Sequence, residues 1–213
     1  MHISEGVLSV PILISGAALT AAGVTIGLRK MRNDTLVTVA ILSAAFFVGS
    51  LVHIPIGPSS AHLILNGLLG AILGWASFPA ILVGLLLQAV LFQYGGLTAL
   101  GVNCFNMAAP AVACGVFCAP LLRRSGRARA IGAFLCGSLS VLLSSLLTAT
   151  ALSLTDEGFF QAAVTLVAAH IPVMLVEGGF TVLVVGYVAK AMPEIFQTST
   201  QKKHTPRPEE TCA

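Results

Sequence analysis

Apolar runs of membrane-spanning length follow one another along this chain with only short polar breaks, and that pattern decides its solvent. Of its 213 residues, 56% are hydrophobic and 9% are charged. A water-soluble domain carries roughly 25% charged residues to cover its surface. No folding of a chain so poor in charge gives a surface that water will solvate, so lipid must surround most of it. Backbone groups in lipid have to be satisfied within the element that crosses it, and a helix does so over about 20 apolar residues. The expected fold is therefore all-α, a polytopic membrane helical bundle of about seven transmembrane helices. The spans are read at residues 8–28, 36–53, 61–75, 79–94, 100–122, 130–152 and 160–191. The third and fourth are short, as tilted or re-entrant segments are. Residues 1–191 form one membrane domain, and 192–213 read as a polar cytoplasmic tail without fixed structure.

Orientation follows from the basic residues. Arg29, Lys30 and Arg32 follow the first span, Arg123, Arg124, Arg127 and Arg129 the fifth, and Lys190, Lys202, Lys203 and Arg207 the seventh. With seven spans these clusters share one side and hold all 11 Lys and Arg residues. The opposite side carries Glu5, Asp156 and Glu157 and no basic residue. The positive side is cytoplasmic by the positive-inside rule, which puts the N-terminus outside and the C-terminus inside an inner (cell) membrane. A cleaved signal peptide needs a basic start, whereas the first span is preceded by His2 and Glu5. The positive charge belongs to that one face, and no nucleic-acid partner is expected.

Polar groups inside such a domain mark function by default. His2 is the sharpest. A second-position histidine behind a free amino terminus offers one metal the terminal amine, its own amide nitrogen and its imidazole. Planar nitrogen-rich fields of that kind suit Ni(II) and Cu(II). One further nitrogen closes the plane, and His62 and His53 compete to supply it. His62 follows the turn-rich stretch Pro55-Ile56-Gly57-Pro58-Ser59-Ser60, and Ser-Ser-Ala-His reads as a capped helix start whose dipole favours a neutral ring. Asn103 and Asn106, three apart beyond Gly95-Gly96, share a helical face. They serve either to orient the imidazoles or as interhelical hydrogen bonds. His170 and Glu177 share a stripe of the last span, and Glu177 reads as part of a pathway, a buried pair or a partner contact. Gln88, Gln93 and Asn66 complete the set of buried polar suspects. Cys114 and Cys118 lie on one face but read as packing, since Cys in apolar runs behaves as a small hydrophobe.

The stretches Met1-His2-Ile3-Ser4-Glu5-Gly6, Ser60-Ala61-His62-Leu63, Leu87-Gln88-Ala89 through Asn106-Met107, and His170-Ile171-Pro172 through Glu177-Gly178 resemble the CbiM/NikM family. Its members are nickel- and cobalt-specific substrate-binding components of energy-coupling-factor ATP-driven importers. The resemblance runs from Met1 to about Ala191 and leaves out the tail. It implies a bundle of about seven helices with the N-terminal loop inserted, and a planar four-nitrogen metal site. Carried onto this chain, the ligands are the Met1 amine, the His2 amide and imidazole, and the His62 imidazole, which favours His62 over His53. It implies as partners a transmembrane coupling component, cytoplasmic ATPase subunits and a small accessory membrane protein. Where many relatives have Gly-Thr-Ser-Gly-His, this chain has Gly57-Pro58-Ser59-Ser60-Ala61-His62, so the turn differs.

The expected function is capture of Ni(II), or of Co(II) as in uptake serving corrinoid synthesis, as transported substrate and with no resident cofactor. Planar nitrogen ligation and the Irving–Williams order rank Ni(II) above Co(II). Affinity should fall with pH below about 6.5, since protons compete for the same nitrogens. The chain has no phosphate-binding Gly-Lys-Ser/Thr loop, so ATP hydrolysis belongs to partners. An intramembrane metalloenzyme using His170 and Glu177 is the rival of another class, but no His-Glu-x-x-His pair supports it. A carrier component for an organic substrate would call for an aromatic- and polar-lined pocket, which one Trp and two Tyr hardly furnish. In a purely structural subunit, His2 would be replaceable.

Overall fold

A computed structural model of the chain describes residues 2–51, 53–56 and 59–196, without the side chains at 53–56, 59–62 and 194. It is a membrane helical bundle. Its helices are α1 (Val10–Lys30), α2 (Leu36–Gly49), α3 (Asn66–Leu73), α4 (Ser77–Phe92), α5 (Leu100–Leu122), α6 (Arg127–Ser153) and α7 (Phe160–Ala191). Between α2 and α3 the chain forms an antiparallel hairpin, β1 (His53–Ile56) against β2 (Ser59–His62). Lipid-facing side chains such as Val10, Ile14, Phe117, Leu183 and Tyr187 are exposed, as a bilayer solvent requires.

The hairpin corrects two sequence readings. The span expected at 36–53 ends at Gly49, and the one expected at 61–75 begins only at Asn66. Ser59–His62 is a strand rather than a capped helix start. The reason lies in the close pair Pro55 and Pro58, each of which lacks a backbone donor and turns the residue before it away from helical conformation. In a two-stranded ribbon both strands are edges, where proline is tolerated.

Small residues bring α3 into the middle of the bundle. A Cβ on Gly70 would collide with the Ala111 carbonyl of α5, and one on Gly115 would collide with the Gly70 carbonyl. A Cβ on Gly67 would fall 2.6 Å from the Cys136 carbonyl oxygen of α6. At its N-terminal end Asn66, fully buried, donates to Met107 O at 3.2 Å and to Ser144 Oγ at 2.8 Å. With eight residues α3 is about 12 Å long, well short of the roughly 30 Å hydrocarbon layer. It is a half-helix that starts inside the bundle.

The apolar run Asn66–Phe92 is long enough to cross a membrane as one stretch, yet it breaks at Gly74, where φ is +55°. Asn66 lies beside Met107 and Gly70 beside Ala111, so α3 runs with α5. Phe78 meets Gly23 while Trp75 and Pro79 meet Gly27, so α4 runs against α1. It runs with α2, Ser43 bonding to Ala80 and Ser50 to Gln88.

Lys30 and Arg32 after α1, Arg123, Arg124 and Arg129 after α5, and Lys190 at the end of α7 collect at one end of the bundle. Lys30 Nζ sits 4.6 Å from the centre of the Trp75 ring. Arg129 donates to Leu122 O at 2.9 Å and stacks over Phe196 at 5.4 Å. The chain does not leave the bundle at Ala191, because the turn Pro193–Ile195 brings Phe196 back into a buried position. Residues 197–213, where the polar tail is expected, lie outside the described residues.

Gly70→Ala should force α3 away from α5, at the cost of overpacking, about 1–3 kcal/mol. Each kcal/mol corresponds to about 2–4 °C in the unfolding midpoint at this chain length. Gly186, which has nothing near its Cβ position, is the control: Gly186→Ala should hold or slightly raise the midpoint measured in detergent.

Candidate metal site at the N-terminal segment

Residues 2–9 form no helix and instead pack against the bundle. Ile3 and Leu8 are buried among Val102, Ala151 and Leu152. Asn103 holds this segment by its main chain. Its Oδ1 accepts the Ile3 N–H at 3.0 Å, and its Nδ2 donates to the Ile3 carbonyl at 3.0 Å. The side-chain amide thus pairs with Ile3 much as a neighbouring strand would. Farther along, Glu5 Oε1 accepts the Thr98 N–H at 3.2 Å.

The loop 93–99 can approach this closely because of Gly95 and Gly96, with φ of +82° and +95°. A Cβ on Gly95 would lie 2.8 Å from Asn103 Nδ2 and 3.5 Å from His2, and one on Gly96 would press on Glu5. Glycine at these positions meets two needs at once, the left-handed backbone and the close approach.

The His2 ring lies over this loop. Its Nε2 is 2.6 Å from Gln88 Oε1, and its centroid is 6.3 Å from that of Tyr94. Tyr94 stacks on Phe92, which packs against Phe47. Burial in this aromatic corner, reinforced by the positive amino terminus beside it, pushes the His2 pKa down to about 4, against a smaller upward effect of the Gln88 bond. The ring is therefore neutral near pH 7 and keeps a lone pair for a metal. Met1 lies outside the described residues.

His62 and His53 are direct cross-strand partners in the hairpin, so the two rivals for a fourth ligand sit at one rung of one ribbon. Their side chains lie outside the described part of the structure. The chain just beyond His62 is fixed by Glu177, fully buried on α7. Glu177 accepts the Ile64 N–H and, at 3.0 and 3.1 Å, the Leu65 N–H. Leu65, preceding α3, has φ of +57°, a left-handed conformation that costs an L residue about 1–2 kcal/mol. The carboxylate supplies the acceptor that the free N–H groups at a helix start require.

The other polar residues singled out in the sequence are engaged separately from one another. Asn103 binds the main chain of Ile3 and not an imidazole. Asn106 donates to Thr148 Oγ1 on α6 at 3.4 Å, an interhelical bond. His170 Nδ1 bonds to Leu166 O of its own helix at 2.7 Å. Gln88, rather than either asparagine, meets the His2 ring. Ser50, which orients Gln88 at 2.7 Å, carries no signal in the sequence. Among the described residues no group of three or more His, Cys, Asp or Glu side chains could hold a metal. A site built partly from main-chain nitrogen needs no such group.

Residues 2–195 match the family model of CbiM, described as the cobalt uptake substrate-specific transmembrane region. The chain belongs to the CbiM family. It is similar to the cobalt transport protein CbiM of Kyrpidia tusciae, at 32% identity over 92% of this chain and 85% of that protein. It also resembles the fused nickel transport protein NikMN of Rhodobacter capsulatus, at 40% identity over 55% of this chain and 36% of the fusion. A crystal structure of a transition metal transporter superposes with a TM-score of 0.76 at 30% identity, covering 90% of this chain and 93% of that one. Membership places this chain among membrane transport components and not among enzymes, which ends the metalloenzyme reading of His170 and Glu177.

Glu177→Ala would leave the Ile64 and Leu65 N–H groups bare in the interior, each at about 1–3 kcal/mol. Glu177→Gln keeps an acceptor oxygen and should lose less. Thermal unfolding of both variants in detergent reads the difference; an Ala variant as stable as the parent would contradict the capping role.

Proposed function

We propose that this protein is the substrate-capturing membrane component of an ATP-driven importer, taking Ni(II), or Co(II), from the outer side of the cell membrane. The metal is the transported substrate. Its four nitrogens are the Met1 amine, the His2 amide, the His2 imidazole and the His62 imidazole, a planar set suited to Ni(II). The observation that carries this reading is the two-point hold of Asn103 on Ile3. It fixes the main chain one residue after His2, and main-chain nitrogen positioned in advance is what a site of this kind needs. The half-buried, neutral ring of His2 and the hold of Glu177 on the chain just beyond the His62 strand support it further.

The basic end of the bundle faces the cytoplasm in this reading, so the N-terminal segment faces outward. The partners are a transmembrane coupling component, cytoplasmic ATPase subunits and a small accessory membrane protein. Relatives bear names for both cobalt and nickel, and planar ligation gives the preference for nickel its chemical basis.

His2→Gln keeps the terminal amine and the second amide but removes the imidazole that must chelate with them. Nickel affinity of the full chain in detergent should then fall by more than the roughly 100-fold that changes to groups behind the ligands produce. Unchanged affinity would exclude the N-terminal site. His62→Ala should abolish tight binding and His53→Ala should spare it, and the reverse outcome would assign the fourth nitrogen to His53.

A further inference from the structure

The hydrogen bonds behind His2 have only one consistent direction. The Phe47 carbonyl can only accept, so the Ser50 hydroxyl donates its single proton there, at 2.6 Å. Toward Gln88 the Ser50 oxygen is therefore left as an acceptor, and it takes an N–H from Gln88 Nε2 at 2.7 Å. That fixes the amide of Gln88, fully buried, with its oxygen toward His2. Oε1 can only accept, so the ring nitrogen 2.6 Å away, Nε2, is the one carrying a proton. The lone pair of a neutral ring is then on Nδ1. This is the nitrogen nearer the residue's own main chain, and the one that can close a small chelate ring with the His2 amide through a single metal ion.

From this relay we infer that Gln88, oriented by Ser50 and the Phe47 carbonyl, is a positioning residue for metal capture: it holds the His2 ring so that Nδ1 is presented to the metal. The inference rests on the N-terminal site proposed above and adds what aims its imidazole. When metal binds, the Nε2–H bond to Gln88 also makes Nδ1 a stronger donor, as hydrogen bonds behind ligating histidines do. The relay links the end of α2, through Ser50, to α4, through Gln88, so the ring's orientation depends on the packing of these two parallel helices.

The test compares Gln88→Met, which keeps size and removes the acceptor, with Gln88→Glu, which keeps an acceptor toward Nε2–H. Nickel affinity of the full-length protein in detergent is measured by competition with a chelator. Gln88→Met should bind Ni(II) about 10–100-fold more weakly, while Gln88→Glu stays within a few-fold of the parent. A merely structural role predicts no such split. Ser50→Ala should weaken binding in the same direction and Ser50→Thr restore it, which covers a Met variant that folds poorly. In metal-free protein carrying 15N-labelled histidine, the His2 proton should reside on Nε2; a proton on Nδ1 overturns the relay without reference to metal. Parent-like affinity in Gln88→Met, or equal losses in the Met and Glu variants, overturns the role of Gln88. If His2→Gln also leaves nickel binding intact, the site itself falls; if His2→Gln abolishes binding, only the relay does.

Discussion

The amide of Asn103 is the contact on which the rest of the proposed site depends. An N-terminal segment without helical structure has no internal partners for its main chain, and at the surface of a membrane bundle it would normally stay in water. Asn103 supplies a donor and an acceptor to Ile3 in one stroke. With Ile3 held, its side chain is buried against Val102 and Leu152, and His2 comes within reach of Gln88. The glycines at 95 and 96 serve the same arrangement by removing the bulk that would push the segment out.

A second set of contacts, on the far side of the hairpin, follows the same logic of main-chain groups taken up by side chains. Glu177 does for Ile64 and Leu65 what Asn103 does for Ile3. Both residues are buried polar groups in a bundle otherwise held by close packing of small residues. Each takes its partners from irregular main chain, which is the one kind of backbone that a membrane interior tolerates only when protein satisfies it.

Much of this was legible in the sequence. Scarcity of charge required a lipid-solvated bundle, and the spans at 100–122 and 160–191 coincide with α5 and α7. His2 stood out because the chemistry of a second-position histidine is local and needs no fold to be seen. The hairpin was not legible, since four-residue strands around Pro55 and Pro58 have no periodicity to distinguish them from helix ends. The partners of Asn103 and Glu177 were not legible either. They are 100 and 112 residues away from Ile3 and Leu65, and their partners are main-chain atoms, which every residue possesses and no motif records. Ser50 was silent for a related reason: a serine near a helix end is common, and only the spatial neighbourhood of Gln88 gives it meaning.

The bond from Glu177 to the chain just beyond β2 has a mechanical consequence. It ties the last helix to the start of the half-helix and, two residues earlier, to the strand bearing His62. A slide of α7 by one helical turn, about 5.4 Å, is far greater than a hydrogen bond can stretch. Such a slide would either drag the histidine strand along or strip the carboxylate from two amides in a medium with no water to replace it. Force applied to α7 from outside the bundle is thus delivered, through the Glu177 side chain among its contacts, toward the ribbon that carries both hairpin histidines.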